Sequence, residues 1–261
     1  MATFQEVKRD YDTQAQGYND ITHLPCNMLE TQLLEAALGD CTGLHVLDLG
    51  GGSGLHARQA VDAGAASVDI IDLSTEMLRV AEAEEEKLGR AGSKVQVRCF
   101  EADVTKPLDH LDLRPQYDLV MSNFCFDHAT TRPELEAMWR NAVSYLKPGG
   151  RFVGARVGNM KSEAATGGKY GVTYKDFQDI PGGVRYRYRI NTREPVEFEA
   201  CSLALSYEGG TEMHSQFGLV DYEEVPLTSA KTIRDDPAFW KTFLDDPSMA
   251  VVKATKAVAV N

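Results

Sequence analysis

The chain has 261 residues, 43% hydrophobic and 25% charged, a composition that suits one large folded domain closing its core without disulfides or metals. Its formal charge is −12, and the acidic excess lies early: through residue 130 there are 10 Lys+Arg against 22 Asp+Glu. Such a field disfavours nucleic acid or an anionic membrane as the main partner.

The opening residues, MATFQEVKRDYD, lack the apolar stretch of a signal peptide, and no later segment has the apolar length to cross a bilayer. NMLETQLLEAAL (27–38) spaces its leucines as a helix does. VLDLG (46–50) reads as a buried strand that runs into glycines, with a helix from 54 to 63. SVDIIDL (67–73) is a second strand, and Ser74 caps a long helix, STEMLRVAEAEEEKLGR, whose Glu76 favours its start. KVQVRCF (94–100) and YDLVMSN (117–123) follow as strands. A helix from Pro133 to Leu146 ends at LKPGG, and RFVGARV (151–157) is a fifth strand.

Strands alternating with helices predict an α/β fold with a doubly wound, mostly parallel sheet. Beyond residue 157 the rhythm changes. NMKSEAATGGKYG reads as a loop. VRYRYRI (184–190), EFEACSLALSY (197–207) and LVDYEEVPL (219–227) read as antiparallel strands that extend the sheet or form a flap over its ligand face. No linker separates two domains. Residues 1–45 are expected to form a helical lid, 46–157 a cofactor-binding core, and 158–261 a substrate-side insertion that completes the sheet. The cysteines, Cys26, Cys41, Cys99, Cys125 and Cys201, contain no C-x-x-C pair, so reduced thiols in a cytoplasmic protein without a bound metal are expected.

VLDLGGGSGLHA (46–57) holds two overlapping fingerprints. Gly52-x-Gly54-x-x-Ala57 fits the dinucleotide pattern, with Asp72 at the end of the next strand. Asp48, Gly50, Gly52 and Gly54 also fit D-x-G-x-G-x-G. A pyrophosphate on the helix N-terminus would be repelled by Asp48, whereas a positively charged ligand would not. IIDLSTEML puts Asp72 at a strand tip, EADVTKPL puts Asp103 just past the third strand, and LKPGG opens the fifth. A dinucleotide enzyme needs neither the third acid nor the K-P-G-G turn.

As an ordered set over residues 8–157, these segments resemble class I S-adenosylmethionine (SAM)-dependent methyltransferases, in the small-molecule branch with D-x-S-x-x-M-L after the second strand. The resemblance implies a Rossmann-like, seven-stranded sheet. It implies that Asp48, Gly50, Gly52 and Gly54 lie at the cofactor, that Asp72 accepts from the ribose hydroxyls, and that Asp103 accepts from the adenine amino group. It also implies that Leu73 and Met77 flank the adenine, that Val104 offers it backbone, and that Asn123 lies under the methionine moiety. YDTQAQGY matches a Y-D-x-x-A-x-x-Y lid of this branch, which would bring Tyr11 and Tyr18 near the cofactor carboxylate.

Ligands in such sheets bind beyond the carboxyl ends of the strands. His128, in NFCFDHA, stands there and is the first candidate for a general base, with Asp127 beside it to orient it. His23, in ITHLPCN, is the second candidate; His214 is expected to have no chemical role. Phe124, Asp127, Tyr170, Tyr174 and Phe177 are the candidate substrate contacts. The segment Ser-Asn-Phe-Cys departs from the N-P-P-Y of enzymes that methylate base or glutamine-amide nitrogens. A small, partly apolar metabolite accepting at O, N, S or C is therefore expected. In VRYRYRI, Tyr186 and Tyr188 share one face, with Arg185, Arg187 and Arg189 on the other. RNA binding is one reading and a charge-protected sheet edge the better one. Two other functions compete: a SAM-binding protein without methyl transfer, and an NAD(P)-dependent oxidoreductase resting on GSGLHA alone.

Overall fold

The computed structural model describes residues 4–90, 96–208 and 210–258. Helices α1 (Phe4–Tyr18) and α2 (Pro25–Leu38) lead into β1 (His45–Leu49), α3 (Leu55–Asp62), β2 (Ser67–Asp72), α4 (Thr75–Lys87) and β3 (Gln96–Glu101). Then come β4 (Tyr117–Met121), α5 (Arg132–Tyr145) and β5 (Leu146–Val157). The strands β6 (Val172–Ile180), β7 (Gly183–Ile190), β8 (Val196–Leu203), β9 (Leu219–Glu224) and β10 (Met249–Lys256) complete the chain. Residues 94 and 95, placed in the third strand from sequence, lie outside the described residues.

Seven strands make one sheet in the order β3-β2-β1-β4-β5-β10-β9. Strands β1 to β5 run parallel, and β10 runs antiparallel to both β5 and β9. Both faces are covered, which is why these strands read as continuous apolar runs. Val46 packs with α2 and α3 residues such as Leu33 and Ala60, whereas Leu47 and Leu49 pack with Leu135 and Met138 of α5. One of the acids buried inside this layer is fully paired. Asp69 on β2 is held bidentately by Arg98 of β3 (2.7 and 2.6 Å) and accepts from the Tyr117 hydroxyl, so its charge is paired and hydrogen-bonded.

The caps follow the sequence. The Ser74 hydroxyl accepts from Met77 N at 3.1 Å, and Thr131 and Glu134 close a capping box at the start of α5. The end of α5 does not follow it: LKPGG is the first stretch of β5 rather than a turn before it, with Gly149 at φ +76° where the pairing with β4 is irregular.

Beyond residue 157 the differences are larger. The 159–171 stretch contains a short helix, Glu163–Thr166, and residues 204–207 of the third predicted segment are helical rather than extended. Strands β6, β7 and β8 form a separate antiparallel sheet in that order. VRYRYRI is therefore its middle strand and not an edge. Arg185 and Arg187 pair with Glu199 and Glu197 of β8 (3.6 and 3.5 Å). β9 joins the main sheet instead, next to β10, a strand absent from the sequence reading. Among the described residues, no helix is long and apolar enough to cross a membrane.

Candidate active site

The glycine loop after β1 begins the site. Gly50 N and Gly51 N donate to Ile71 O, Gly52 N donates to Asp72 Oδ2 at 2.9 Å, and Gly54 N donates to Gly51 O. All four glycine amides are thus spent within the protein, and none is left to cradle a phosphate. The loop's need for glycine comes largely from its own neighbours. Gly50 sits at φ +71°, and a Cβ there would lie 2.5 Å from Cys125 Cβ. Gly50→Ala combines a left-handed alanine, costing about 1–2 kcal/mol, with overpacking of about 1–3 kcal/mol. Thermal or denaturant unfolding of this variant is expected to show both together; a loss under about 0.5 kcal/mol would contradict the contact.

Asp48 lies beneath this loop, fully buried, with no hydrogen-bond partner for either oxygen among the described residues. A Cβ on Gly51 would come within 2.6 Å of Asp48 Oδ2, so the carboxyl group is the floor of the loop and not part of the cavity wall. Burial pushes it up to about 7, against the pull of His56 and with a further push from Asp72. An unfolded carboxylate titrates near 4. The fold therefore binds this proton more tightly than the unfolded chain does, and the stability it brings is lost as pH rises from about 4 through 7. Asp48→Asn removes that dependence. Without ligand, the variant should melt above the parent at pH 8, with the gap closing by pH 5; a gap independent of pH would refute this.

Asp72 stands at the tip of β2. Its Oδ1 accepts from Ser74 N at 2.8 Å and its Oδ2 from Gly52 N, and burial raises it to about 6 against those two bonds. Asp103, beyond β3, accepts from Thr105 N and Oγ1 through Oδ1 alone. The Val104 carbonyl accepts from Asn141 Nδ2, so only its N–H faces no described partner. Asn123 accepts from Ala155 N, while its buried Nδ2 has no partner. Asp72, Leu73, Met77, Asp103, Val104 and Asn123 all line one cavity together with Gly50, Gly51, Gly52 and Ser53. Gly54 does not line it; it caps α3 at φ +74°.

Helix α1 covers this cavity. Lys8 Nζ reaches Leu73 O and Glu101 Oε1 at 2.9 Å each, and Asp12 accepts from the Ser74 hydroxyl at 2.6 Å. Ser53 donates to Asn19 at 2.7 Å, tying the glycine loop to the turn after α1. Tyr11 and Tyr18 both line the cavity. The Tyr11 hydroxyl is 3.1 Å from His128 Nε2 and 2.9 Å from the Tyr188 hydroxyl, a chain joining α1, the segment after β4, and β7.

His128 is where the sequence places it, on the cavity wall, and burial pushes its imidazole down to about 4. Tyr11 orients it, not Asp127, whose Oδ2 accepts from Val157 N at 2.7 Å. Phe124 lines the cavity with its backbone at φ +56°, a strained setting for an aromatic residue of the kind found at binding sites. Tyr174 lines it too. Tyr170 does not: it stacks on Trp240 at 4.8 Å, and its hydroxyl donates to Phe239 O, which makes it core. His23 is exposed and outside the lining, and Phe177 lies behind Tyr186 with Lys161 over its ring. His214 is buried against Trp139, Phe152 and Tyr222.

Several lining residues escaped the sequence reading. Tyr186 and Tyr188 were seen only as an alternating face. Glu30, which accepts from His56 Nε2 (2.8 Å) and Asn27 Nδ2 (3.2 Å), had no local signal, because its ion-pair partner His56 lies on another helix.

A buried acid under a loop whose glycine amides are spent, a second acid at the next strand tip and an amide donor at Asn123 without a described partner suit a cationic, phosphate-free nucleoside cofactor. They do not suit a dinucleotide. Comparison with known proteins agrees. A family profile described as "Methyltransferase domain" matches residues 46–150. The chain is 28% identical over 151 residues to a malonyl-(acyl-carrier protein) O-methyltransferase of Halalkalibacterium halodurans, covering 56% of this chain and 52% of that protein. It is 29% identical over 155 residues to a demethylmenaquinone methyltransferase of Tropheryma whipplei, covering 57% of each. The chain thus spans about half the length of these curated relatives. Its fold matches an S-adenosylmethionine-dependent methyltransferase from Mesorhizobium loti with a TM-score of 0.56 and 24% identity, over 85% of this chain and 95% of that one. Residues 46–150 thus match a methyltransferase-domain profile, and the chain shares the fold of solved S-adenosylmethionine-dependent methyltransferases.

Proposed function

We propose that this protein transfers a methyl group from SAM to a small, partly apolar metabolite, releasing S-adenosylhomocysteine, and that it works in the cytoplasm. One observation carries the reading: a single cavity runs from Gly50–Ser53, Asp72 and Asp103 to a wall of Tyr174, Tyr186 and Tyr188, with His128 between. The first end suits the cofactor, and the second has room and chemistry for an acceptor. Five free cysteines suit a reducing compartment.

When bound, SAM supplies a methyl group activated by sulfonium, and its leaving group is a neutral thioether that needs no acid. On this reading Asp72 holds the ribose, Asp103 and the Val104 N–H hold the adenine, and Asn123 Nδ2 meets the methionine end. Helix α1 excludes water from above. Alignment of acceptor and methyl then supplies much of the catalysis, roughly 7–11 kcal/mol. His128, neutral at physiological pH, accepts a hydrogen bond from the acceptor and orients its lone pair. A metabolite extract incubated with methyl-labelled SAM tests the proposal by mass spectrometry. Label should appear on a small molecule; label found only on RNA or protein would overturn it, as would NAD binding without SAM binding.

A further inference from the structure

Four carboxylates line the cavity, Glu30, Asp72, Asp103 and Asp127, and among the described lining residues there is no lysine or arginine. Glu30 is matched by His56. Asp72 and Asp103 stand at the cofactor end. Asp127 is thus the carboxylate of the acceptor end, 3% exposed; burial pushes it up to about 6 against Val157 N, Ser206 and the nearby Arg156, and among the described residues its Oδ1 takes no hydrogen bond. On the cavity side, Tyr174 and Tyr186 lie within its field. The rings of Tyr174 and Tyr186 lie 5.4 Å apart, Tyr174 and Tyr188 5.9 Å, and Tyr186 and Tyr188 6.4 Å. Burial and then the Asp127 charge push the Tyr174 hydroxyl up, so this ring stays a neutral phenol within the carboxylate's field.

An anionic acceptor would meet no cation in the lining of this end, since burial holds His128 neutral and Arg156 is not among the lining residues and acts on Asp127 instead. A cation would meet three tyrosine rings and a buried carboxylate, which together favour positive charge. The bookkeeping of charge points the same way. Methylating a carboxylate cancels the sulfonium charge, whereas methylating a neutral amine moves that charge onto nitrogen, where something must stabilise it.

Resting on the methyl-transfer reading above, we propose that the acceptor is an amine whose nitrogen lies against the Tyr174–Tyr186–Tyr188 wall in the field of Asp127. Acceptors whose reacting end is a carboxylate or phosphate are turned away. The nitrogen lone pair forms the new N–C bond as the S–C bond breaks with its pair left on sulfur. A primary or secondary amine then passes its N–H proton to water by way of His128, a weak base; a tertiary amine keeps the charge as a quaternary ammonium.

The test uses the full chain saturated with S-adenosylhomocysteine and three probes of similar size, titrated by calorimetry: benzyltrimethylammonium, its uncharged isostere neopentylbenzene, and phenylacetate. The ammonium probe should bind about tenfold more tightly than either other probe, within the range of a desolvated cation–π contact. Asp127→Asn and Tyr174→Leu should each cut that preference about threefold or more, while Tyr174→Phe, which keeps the π-face, should preserve it. Phenylacetate binding as tightly as the ammonium, equal binding of the charged and uncharged isosteres, or no binding of any probe to the loaded protein would overturn the amine. Failure of S-adenosylhomocysteine itself to bind would instead overturn the cofactor reading beneath it.

Discussion

Replacing Asp72 with Ala is expected to weaken SAM binding by about 10²- to 10⁴-fold, the loss of two hydrogen bonds to a charged acceptor. The carboxylate has two oxygens, each already taking one backbone N–H, from Ser74 and from Gly52, and each with a lone pair left for a ribose hydroxyl. Asp72→Asn retains one acceptor oxygen and should fall between parent and Ala. Because burial holds this acid at about 6, affinity in the parent should also weaken as pH falls through 6, where the charge is lost. Calorimetric titration reads both effects. Melting of the ligand-free variant serves as a control, since Gly52 N loses its partner. A tenfold or smaller loss of affinity in Asp72→Ala would remove Asp72 from the cofactor site.

The second large effect is at His128. His128→Ala should lower turnover about 100-fold, with SAM affinity changed little. That is the low end of general-base effects, because an imidazole held near 4 is a weak base. The sign of the pH dependence separates this residue from an ordinary histidine. An unburied imidazole would give an acid limb near 6.5, whereas His128 stays neutral down to about 4, so the limb it causes lies there. The variant's deficit should shrink as pH rises, as acceptors lose their proton without help. A variant with parental turnover across that range would leave His128 as wall, held in place by Tyr11.

Much of the proposed cofactor end was legible from sequence because its signals are local. The strand ending in glycine, the acid one strand later, and the Ser74 cap each occupy a few adjacent residues, and each is found where the pattern puts it. Gly54 shows the limit of that reading. The pattern groups it with the cofactor glycines, yet it faces α4, where a Cβ would lie 3.1 Å from Ala81 Cβ. Local pattern specifies a backbone conformation and does not say which body presses against it.

By itself, then, the sequence determined the α/β rhythm, the acidic field, and the glycine loop and strand-tip acids of the proposed cofactor end, because periodicity and turn chemistry act over short separations. The tertiary structure alone decided the acceptor end. Tyr170 and Tyr174 are four residues apart, yet one is stacked on Trp240 and the other faces the cavity. Tyr186 and Tyr188 became wall only because β7 pairs on both sides and one face of its sheet meets the segment after β4. Likewise, β10 entered the main sheet between β5 and β9, nearly 100 residues after β5 ends. Such placements depend on which buried surfaces meet across long stretches of chain, and that free energy has no signature in any one segment.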